Sequence, residues 1–304
     1  ESWVDFFAIQ NAVFGVDADS RLFVQGSLAF TGNLNLYMGQ LAAGGTLIAE
    51  DVFLPGKWEQ VMARERANGI YLIPSKLLML PRVFKGVNAN IRTIISGSQS
   101  LGRKDAEVLK KIFPNTEITL YYGASELNYI TYVKSADMTE ERNLIGKPFP
   151  GVRVFIQDDE MYVDNAFHVE NITVPYSLKD SGRMDAQGNF YFLGRTDDIV
   201  GVRGRKVSMM KIENALEEVA GITEAAVVLL PKEKDADMPA EIVSAFVTVE
   251  GTDVPENLRQ QLKEKLADFE IPKRVIVLEA FPKNTSGKVD KARLKKMWIE
   301  QEPQ

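Results

Sequence analysis

The sequence predicts an α/β protein with a mostly parallel, helix-covered sheet, a small antiparallel β region and a separate, compact α+β carboxy-terminal domain. Short apolar strands alternate with helical patterns in the amino-terminal part, which is typical of parallel sheets with right-handed crossovers. After about residue 145 this alternation gives way to short strands joined by tight turns, and a third pattern begins near Arg195. A length of 304 residues suits two domains of about 150 residues each.

The elements of the predicted parallel sheet follow one another in order along the chain. Each predicted strand is a short apolar run, and each predicted helix carries apolar residues on one face. Gly69 is expected to terminate the second helix, and Ser75 is expected to cap the apolar helix that follows it. The predicted strands are 21–25, 46–49, 69–73, 91–95 and 117–121, and the predicted helices are 33–43, 58–68 and 103–113.

The remaining elements predict the antiparallel region and the carboxy-terminal domain. Apolar residues at helical spacing predict one helix through Ile212, Leu216 and Val219 and another through Leu258, Leu262 and Leu266. The predicted strands are 153–157, 160–163 and 190–193 in the antiparallel region, and 225–230 and 242–249 in the carboxy-terminal domain. We place the domain border within 194–198, which gives domains of residues 1–195 and 196–304.

Composition excludes several classes of function. There is no cysteine and one histidine, His168, which excludes thiolate zinc sites and multi-histidine metal sites. A net charge of −6 argues against nucleic acid as a partner, because nucleic-acid binding requires clustered excess Lys and Arg. No apolar run approaches the roughly 18 residues that a membrane span needs, and the first residues lack the features of a signal peptide. We therefore expect a soluble protein without a membrane span.

Two polar, glycine-bearing stretches, 96–99 and 122–126, directly follow predicted strands. Ligands of open α/β sheets bind at the carboxyl ends of the strands, so these stretches are candidates for a site. Ser125 could hold a phosphate oxygen and Glu126 could hold Mg²⁺, which prefers oxygen ligands shared with phosphates. The alternative is an ordinary turn with a capping serine and a solvated glutamate.

Two charged stretches lie further along the chain. Residues 194–207 combine acids, cations and glycines in a short span, and the alternative to a functional site there is a solvated, charged hairpin. Residues 282–291 present Lys288 after a Ser-Gly pair, where its ammonium group could bind a phosphate as a point charge. The alternative is an exposed basic turn that precedes a basic helix.

Taken together and in this order, residues 122–126, Asp180, 194–207 and 284–288 resemble the adenylate-forming superfamily. That superfamily includes acyl-CoA synthetases, adenylation domains of peptide synthetases and luciferases. The resemblance implies an enzyme that activates a carboxylic acid with ATP and Mg²⁺ as an acyl-adenylate, and then transfers the acyl group to the thiol of coenzyme A. The strongest parts of the resemblance are residues 194–198, Arg203 with Gly204, and Lys288.

The resemblance also implies a role for each matching residue. Lys288 is expected to contact the carboxylate and the α-phosphate during adenylation, Ser125 the phosphate, and Glu126 the Mg²⁺ ion. Asp197 is the expected hinge, and Arg203 with Gly204 is expected to face the CoA channel. The residues expected to bind the nucleotide are Ser98, Tyr122, Gly123, Asp180 and Arg195.

The acyl pocket is expected to involve Phe30, Asn33 and Gly97. Adenylation domains that take α-amino acids have an aspartate in the stretch corresponding to 27–33, and this chain has none there. The resemblance therefore implies a small-molecule acid with an uncharged tail, fatty or aromatic.

Two of the chain's departures from the family pattern bear on the nucleotide site. The glycine-rich phosphate loop is absent, so the chain resembles the carboxy-terminal portion of such an enzyme, whose amino-terminal half is a further expected partner. Residues 176–179 replace the Thr-Gly that usually precedes the acid at Asp180.

Three alternatives to an acyl-CoA ligase remain open from the sequence. The first is an adenylation domain that loads the thiol of a carrier protein. The second is a non-catalytic nucleotide-binding module, to which the absent phosphate loop points. The third is a hydrolase that uses Ser125 or Ser286 with His168, although no nucleophile-elbow sequence supports it.

Overall fold

The computed structural model of the chain describes residues 2–195, 199–202, 205–232, 241–284 and 288–300. The helices are α1 Ser2–Phe14, α2 Thr31–Ala42, α3 Pro55–Arg64, α4 Pro74–Leu77, α5 Leu80–Val83, α6 Arg103–Ile112, α7 Met209–Glu217, α8 Leu258–Lys263 and α9 Lys291–Glu300. The strands of the first half are β1 Arg21–Gln25, β2 Thr46–Glu50, β3 Gly69–Tyr71, β4 Thr93–Gly97, β5 Glu117–Ala124, β6 Asn128–Lys134 and β7 Leu144–Pro148. The strands of the second half are β8 Val152–Gln157, β9 Glu160–Asn165, β10 Tyr176–Met184, β11 Phe190–Arg195, β12 Ile199–Val202, β13 Arg205–Ser208, β14 Ile222–Pro231, β15 Glu241–Val249 and β16 Arg274–Val277.

Strands β1 to β11 form one sheet in the order β2-β1-β3-β4-β5-β6-β7-β11-β10-β9-β8. The first five strands in that order pair in parallel, and apolar residues of β1, β3, β4 and β5 are fully buried against the helices. Strands buried on both faces read as continuous apolar runs, which is why the sequence predicted each of them closely. The predicted fold class is confirmed.

Antiparallel pairing begins earlier than the sequence predicted. β6 pairs antiparallel with β5 immediately after the turn 125–127, so the parallel arrangement ends at β5 and not near residue 145. The strand-like run 129–133 has no helix between it and β5, and its tight turn permits only an antiparallel return.

Two predicted helix boundaries are wrong, each for a local reason. Ser75 does not cap α4, because Pro74 occupies the first helical turn and Ile73 takes the N-cap position in extended conformation. Proline is well suited to the first turn, where its missing N–H costs no hydrogen bond. The helix predicted to run to residue 68 ends at Arg64, and Arg66 follows with φ of 52°.

The chain divides into two compact units, the first comprising Glu1–Leu178 and Gly182–Phe192 and the second Lys179–Ser181 and Leu193–Gln304. In the second unit, β14, β15 and β16 form a sheet on which apolar residues of α7 and α8 are buried. Lys211 of α7 donates two hydrogen bonds, of 2.8 and 2.6 Å, to the buried carboxylate of Glu270. This charged contact anchors α7 within the second unit.

Among the helices of the described residues, none combines the length and the apolar character that crossing a membrane requires.

Gly146 of β7 allows a close approach that no other residue would. Its φ is 81°, and a Cβ at this position would lie 2.0 Å from the carbonyl oxygen of Tyr132 on β6. Gly188 has a similar φ of 79°, but a Cβ there would meet nothing within 4 Å. A side chain at Gly188 would therefore cause backbone strain alone. A side chain at Gly146 would cause both backbone strain and steric overlap.

We expect Gly146→Ala to lower the free energy of unfolding by about 2–5 kcal/mol, because overlap with the β6 carbonyl adds to the cost of positive φ. Gly188→Ala carries only the conformational cost, about 1–2 kcal/mol. Urea unfolding of both variants, followed by circular dichroism, tests this difference. Equal losses would show that the close approach of β7 to β6 contributes nothing.

Candidate functional site

The carboxyl ends of β1, β3, β4 and β5 lie along one edge of the sheet, because these strands run parallel. Side chains link the loops that follow them. Lys76, after β3, donates to the backbone oxygen of Gln25 at 3.2 Å and to its side-chain oxygen at 2.5 Å. Gln99, after β4, accepts a hydrogen bond of 2.9 Å from the Ser75 amide. The loops at this edge are thus held together.

The turn between β5 and β6 presents two of the predicted site residues, Ser125 and Glu126, both exposed. The backbone oxygen of Glu126 accepts a hydrogen bond of 2.9 Å from the Val169 amide, which ties the turn to residue 169. Gly123, also a predicted site residue, passes so close to β6 that a Cβ would lie 2.5 Å from the oxygen of Asn128. Gly123 therefore serves the geometry of this hairpin.

One face of α2 holds both ends of this turn. The hydroxyl of Thr31 lies 2.7 Å from the hydroxyl of Ser125, and Asn35, one helical turn later, donates a 3.0 Å hydrogen bond to Asn128. The threonine contact is exposed, whereas Asn35 and Asn128 are buried. Residues four apart share one face of a helix, so α2 contacts the turn at two points.

Ser98 and Tyr122 flank this edge of the sheet. Ser98 follows β4 with φ of 68° and is exposed, a conformation that is uncommon outside glycine and is found at functional sites. Tyr122 is half-buried, and its ring centroid lies 5.9 Å from that of Phe192. Both residues lie where the sequence placed them, at the carboxyl ends of adjacent strands.

The three predicted acyl-pocket residues differ in environment. Asn33 is 9% exposed and donates a 2.9 Å hydrogen bond to the backbone oxygen of Ser27, which closes the loop between β1 and α2. Phe30 is 42% exposed at the start of α2. Gly97 is covered by the ring of Tyr121, whose Cζ would lie 2.5 Å from a Cβ at residue 97.

Asp180 and Arg195 contact each other within the second unit. Nε of Arg195 lies 3.7 Å from Oδ1 of Asp180, and the side chains are 59% and 10% exposed respectively. A nearly buried carboxylate beside a solvated guanidinium can accept hydrogen bonds from hydroxyl groups while its charge is balanced.

Hydrogen bonds of the Lys288 backbone link this residue to Asn284 in the second unit. Lys283 and Val289 form an antiparallel bridge, and the amide of Asn284 donates a 2.8 Å hydrogen bond to the oxygen of Lys288. In return, the Lys288 amide donates a 3.0 Å hydrogen bond to the side chain of Asn284. The Lys288 side chain is exposed, while Lys283 forms an ion pair of 2.8 Å with Glu224.

The predicted hinge Asp197, the predicted CoA-channel residues Arg203 and Gly204, and Ser286 lie outside the described residues. The strands β12 and β13 pair antiparallel on either side of Arg203 and Gly204 in the sequence, with Val202 opposite Arg205. Beside them in the second unit lies a cavity of about 430 Å³. It is lined by Val202, Arg205, Glu241, Ile242, Val243, Asp268, Phe269 and Lys273.

The sequence did not point to Lys76 at this edge of the sheet, nor to a cluster of three buried tyrosines, Tyr71, Tyr121 and Tyr129. Burial lowers the pKa of Lys76 and raises the pKa of Tyr71, Tyr121 and Tyr129, because each charged form loses hydration. Lys76 follows a predicted strand, so the rule that pointed to 96–99 could also have found it. No spacing in the sequence indicates that Tyr71 and Tyr121 meet.

Comparison with known proteins decides the family. The AMP-binding enzyme family matches residues 2–166, more than half of the chain, and the AMP-binding enzyme C-terminal domain matches residues 211–288. The chain belongs to the AMP-binding enzyme family. This confirms the predicted membership of the adenylate-forming superfamily, whose members include acyl-CoA ligases and peptide-synthetase adenylation domains.

Relatives of this AMP-binding enzyme include both ligases and peptide synthetases. It is 25% identical to the uncharacterized acyl–CoA ligase YhfT of Bacillus subtilis (strain 168), over 100% of this chain and 65% of that protein. It is 26% identical to a linear gramicidin synthase polypeptide of Brevibacillus parabrevis, over 93% of this chain and 6% of that protein. The chain therefore spans 65% of the length of the acyl–CoA ligase that it resembles.

Solved structures share the fold. The amide bond synthetase McbA from Marinactinospora thermotolerans aligns with a TM-score of 0.83 and 23% identity, over 98% of this chain and 66% of McbA. O-succinylbenzoate coenzyme A synthetase (MenE) from Bacillus subtilis, solved in complex with ATP and magnesium ion, aligns with a TM-score of 0.80 and 19% identity. That alignment covers 97% of this chain and 65% of MenE.

We expect Asn35→Ala to lower the free energy of unfolding by about 1–3 kcal/mol, because it removes a hydrogen bond to the buried Asn128 amide. Thr31→Ala removes an exposed hydroxyl contact on the same face of α2, and we expect a loss below about 1 kcal/mol. Urea unfolding of both variants measures the two effects. A larger loss in Thr31→Ala would contradict the assignment of Asn35 as the main contact of α2 with the turn.

Proposed function

We propose that this AMP-binding enzyme is an ATP-dependent acid–thiol ligase that activates a fatty or aromatic carboxylic acid and transfers it to coenzyme A. The observation that carries the proposal is the order of the two family matches. The nucleotide-binding part is followed by the C-terminal domain, and the match to that domain ends at Lys288, the residue predicted to act in adenylation.

The proposed reaction has two steps. In the first, a carboxylate oxygen attacks the α-phosphorus of ATP, the bond to the β-phosphate oxygen breaks, and pyrophosphate leaves. In the second, the thiol sulfur of CoA attacks the acyl carbon, loses its proton, and displaces AMP. Negative charge accumulates on the phosphate oxygens during the first step, which favours a positioned cation such as Lys288.

The β5–β6 turn suits the phosphate end of ATP. Ser125 offers an exposed hydroxyl and Glu126 an exposed carboxylate, an oxygen donor set that suits Mg²⁺. The described residues contain no group of three or more His, Asp or Glu side chains that could hold a metal ion by themselves. This fits Mg²⁺, which is usually bound by one or two carboxylates together with substrate phosphates. MenE, which shares the fold, was solved with ATP and magnesium ion.

We assign the other nucleotide contacts by the same reasoning. Asp180, nearly buried and paired with Arg195, is suited to accept hydrogen bonds from the ribose hydroxyls. Ser98, Tyr122 and Gly123 lie on strand ends at the carboxyl edge of the sheet, where ligands of α/β sheets bind.

The remaining assignments concern the second half-reaction. We propose Asp197 as the hinge, Arg203 and Gly204 as residues of the CoA channel, and a domain border between residues 195 and 196. We also propose that the glycine-rich phosphate loop belongs to a part of the enzyme that this chain does not span. The cytoplasm is the proposed compartment, because both ATP and CoA are available there.

A carrier-protein thiol is the alternative acceptor, and one observation favours it. The similarity to linear gramicidin synthase covers 93% of this chain, nearly as much as the similarity to the acyl–CoA ligase. A non-catalytic nucleotide-binding module is the alternative from a different class of function. It would bind AMP or an acyl-adenylate analogue without releasing pyrophosphate.

We expect the full-length enzyme to release AMP and pyrophosphate when it is incubated with ATP, Mg²⁺, CoA and a panel of carboxylic acids. Coupled detection of pyrophosphate, with omission of the acid as the control, measures this activity. Pyrophosphate release that requires a carrier protein in place of CoA would favour the carrier-protein thiol as the acceptor. The complete absence of pyrophosphate release with every acid would contradict a ligase and favour the non-catalytic module.

We expect Lys288→Ala to lower the rate of adenylation by about 10²–10³-fold, because it removes the cation that stabilises the developing charge. Thioester formation from supplied acyl-adenylate and CoA should change far less. Lys283→Ala is the matched control, because Lys283 bridges to Val289, next to Lys288, but forms an exposed ion pair, worth at most about 1 kcal/mol. Equal losses of both half-reactions in Lys288→Ala would contradict the proposed role.

A further inference from the structure

A cavity of the first unit lies at the amino ends of the parallel strands, and we call it the amino-edge cavity. Its volume is about 820 Å³, which is within the range of small-molecule sites, about 300–1,000 Å³. Every residue that lines it belongs to a segment preceding β3, β4 or β5. The lining residues are Arg66, Asn68, Ala89, Asn90, Arg92 and Asn115.

Hydrogen bonds join the three segments that form the amino-edge cavity. The Arg92 amide donates a hydrogen bond of 2.7 Å to the backbone oxygen of Asn68. The side chain of Asn115 donates one of 3.0 Å to the backbone oxygen of Ala89. The side-chain oxygen of Asn68 accepts one of 2.7 Å from the Arg21 amide, at the start of β1. The walls of the cavity are therefore fixed by the protein itself.

Arg66 and Arg92 give the amino-edge cavity its positive charge. Both side chains are exposed, and within the part of the chain that the structure describes neither forms an ion pair. Arg64 differs, since its Nε lies 2.7 Å from the carboxylate of Glu65. None of the lining residues is acidic, so the cavity carries two positive charges in a chain whose net charge is −6.

The chemistry of the lining residues suits a phosphate group. A guanidinium is planar and donates paired hydrogen bonds to phosphate oxygens, and side-chain amides can donate to the remaining oxygens. Two arginines match the double charge of a phosphate monoester, whereas one arginine suffices to neutralise a carboxylate. The only apolar side chain in the lining is that of Ala89, so the cavity is unsuited to an aromatic ring or an acyl chain.

The amino-edge cavity is separate from the proposed nucleotide site. Arg92 directly precedes β4 and Ser98 directly follows it. A strand rises about 3.3 Å per residue, so these two ends of β4 lie about 20 Å apart. A phosphate bound at the amino edge is therefore remote from Ser125 and Glu126, which follow the parallel strand β5 at its carboxyl end.

We propose that the amino-edge cavity is a second anion site of this enzyme, which binds a phosphate-bearing small molecule. Arg66 and Arg92 supply the charge and the paired donors, and the asparagine side chains supply further polar contacts. The ligase reaction does not use these residues. The inference therefore does not depend on the proposed function.

Isothermal titration calorimetry of the full-length enzyme with pyrophosphate, at low ionic strength, tests the proposal. We expect Arg66→Gln and Arg92→Gln each to weaken binding at one site by at least about tenfold, because each removes hydrogen bonds between a guanidinium and a phosphate. Both side chains are exposed, so both variants should fold. Binding that neither substitution weakens belongs to another site, and that result would overturn the proposal, as would no binding by the wild type.

Arg82→Gln is the matched control, because Arg82 of α5 is also exposed but does not line the cavity. Its affinity for pyrophosphate should equal that of the wild type, and a loss as large as in the two cavity variants would attribute binding to overall charge and overturn the proposal. Glucose 6-phosphate and citrate are the comparison ligands. Tighter binding of glucose 6-phosphate than of pyrophosphate supports a phosphorylated metabolite, and the reverse supports a free diphosphate. Citrate binding more tightly than both would overturn the assignment to phosphate.

Discussion

The parallel pairing of β1 to β5 is the constraint on which the candidate site depends. Parallel strands share a direction, so the loops that follow β1, β3, β4 and β5 must emerge at one edge of the sheet. Residues far apart in sequence meet there, and two hydrogen bonds tie the loops to each other, one donated by Lys76 and one accepted by Gln99. Without this pairing, the polar stretches would be ordinary surface turns.

The site is assembled from contacts of different strengths. The exposed contact between Thr31 and Ser125 is freely solvated and contributes little to stability, whereas the buried amide pair of Asn35 and Asn128 must stay bonded. An exposed Ser125 next to a firmly held turn suits a residue that exchanges partners with a substrate. Stability at this edge comes from residues behind the surface, and the groups available for chemistry lie on it.

The sequence predicted the parallel strands but not α1, β6, β7 or β10, and it predicted side-chain packing poorly. The strands at 21–25 and 117–121 lie where the apolar runs indicated, because burial on both faces leaves a strong local pattern. By contrast, Gly97 was expected to line an acyl pocket, and the ring that covers it comes from a residue 24 positions later. Which side chain fills the space beside a glycine depends on register between strands, and no pattern of spacing encodes it.

The family motifs, similarly, identified which residues to consider but not how they are held. Asp180 and Arg195 were both expected to bind the nucleotide, and they lie 3.7 Å from each other. The reciprocal hydrogen bonds between Asn284 and Lys288 were not expected, since Asn284 carries no chemistry of its own. Such supporting contacts are visible only once the chain has closed its loops in three dimensions.

The cover that Tyr121 forms over Gly97 has a consequence for how relatives of this enzyme diverge. A larger side chain at residue 97 is compatible with the fold only if residue 121 becomes smaller, because both would claim the same volume. The two positions should therefore change together during evolution, as a size exchange across neighbouring strands. Covariation of this kind would let the side chains between β4 and β5 change in size while the sheet and its edge stay intact.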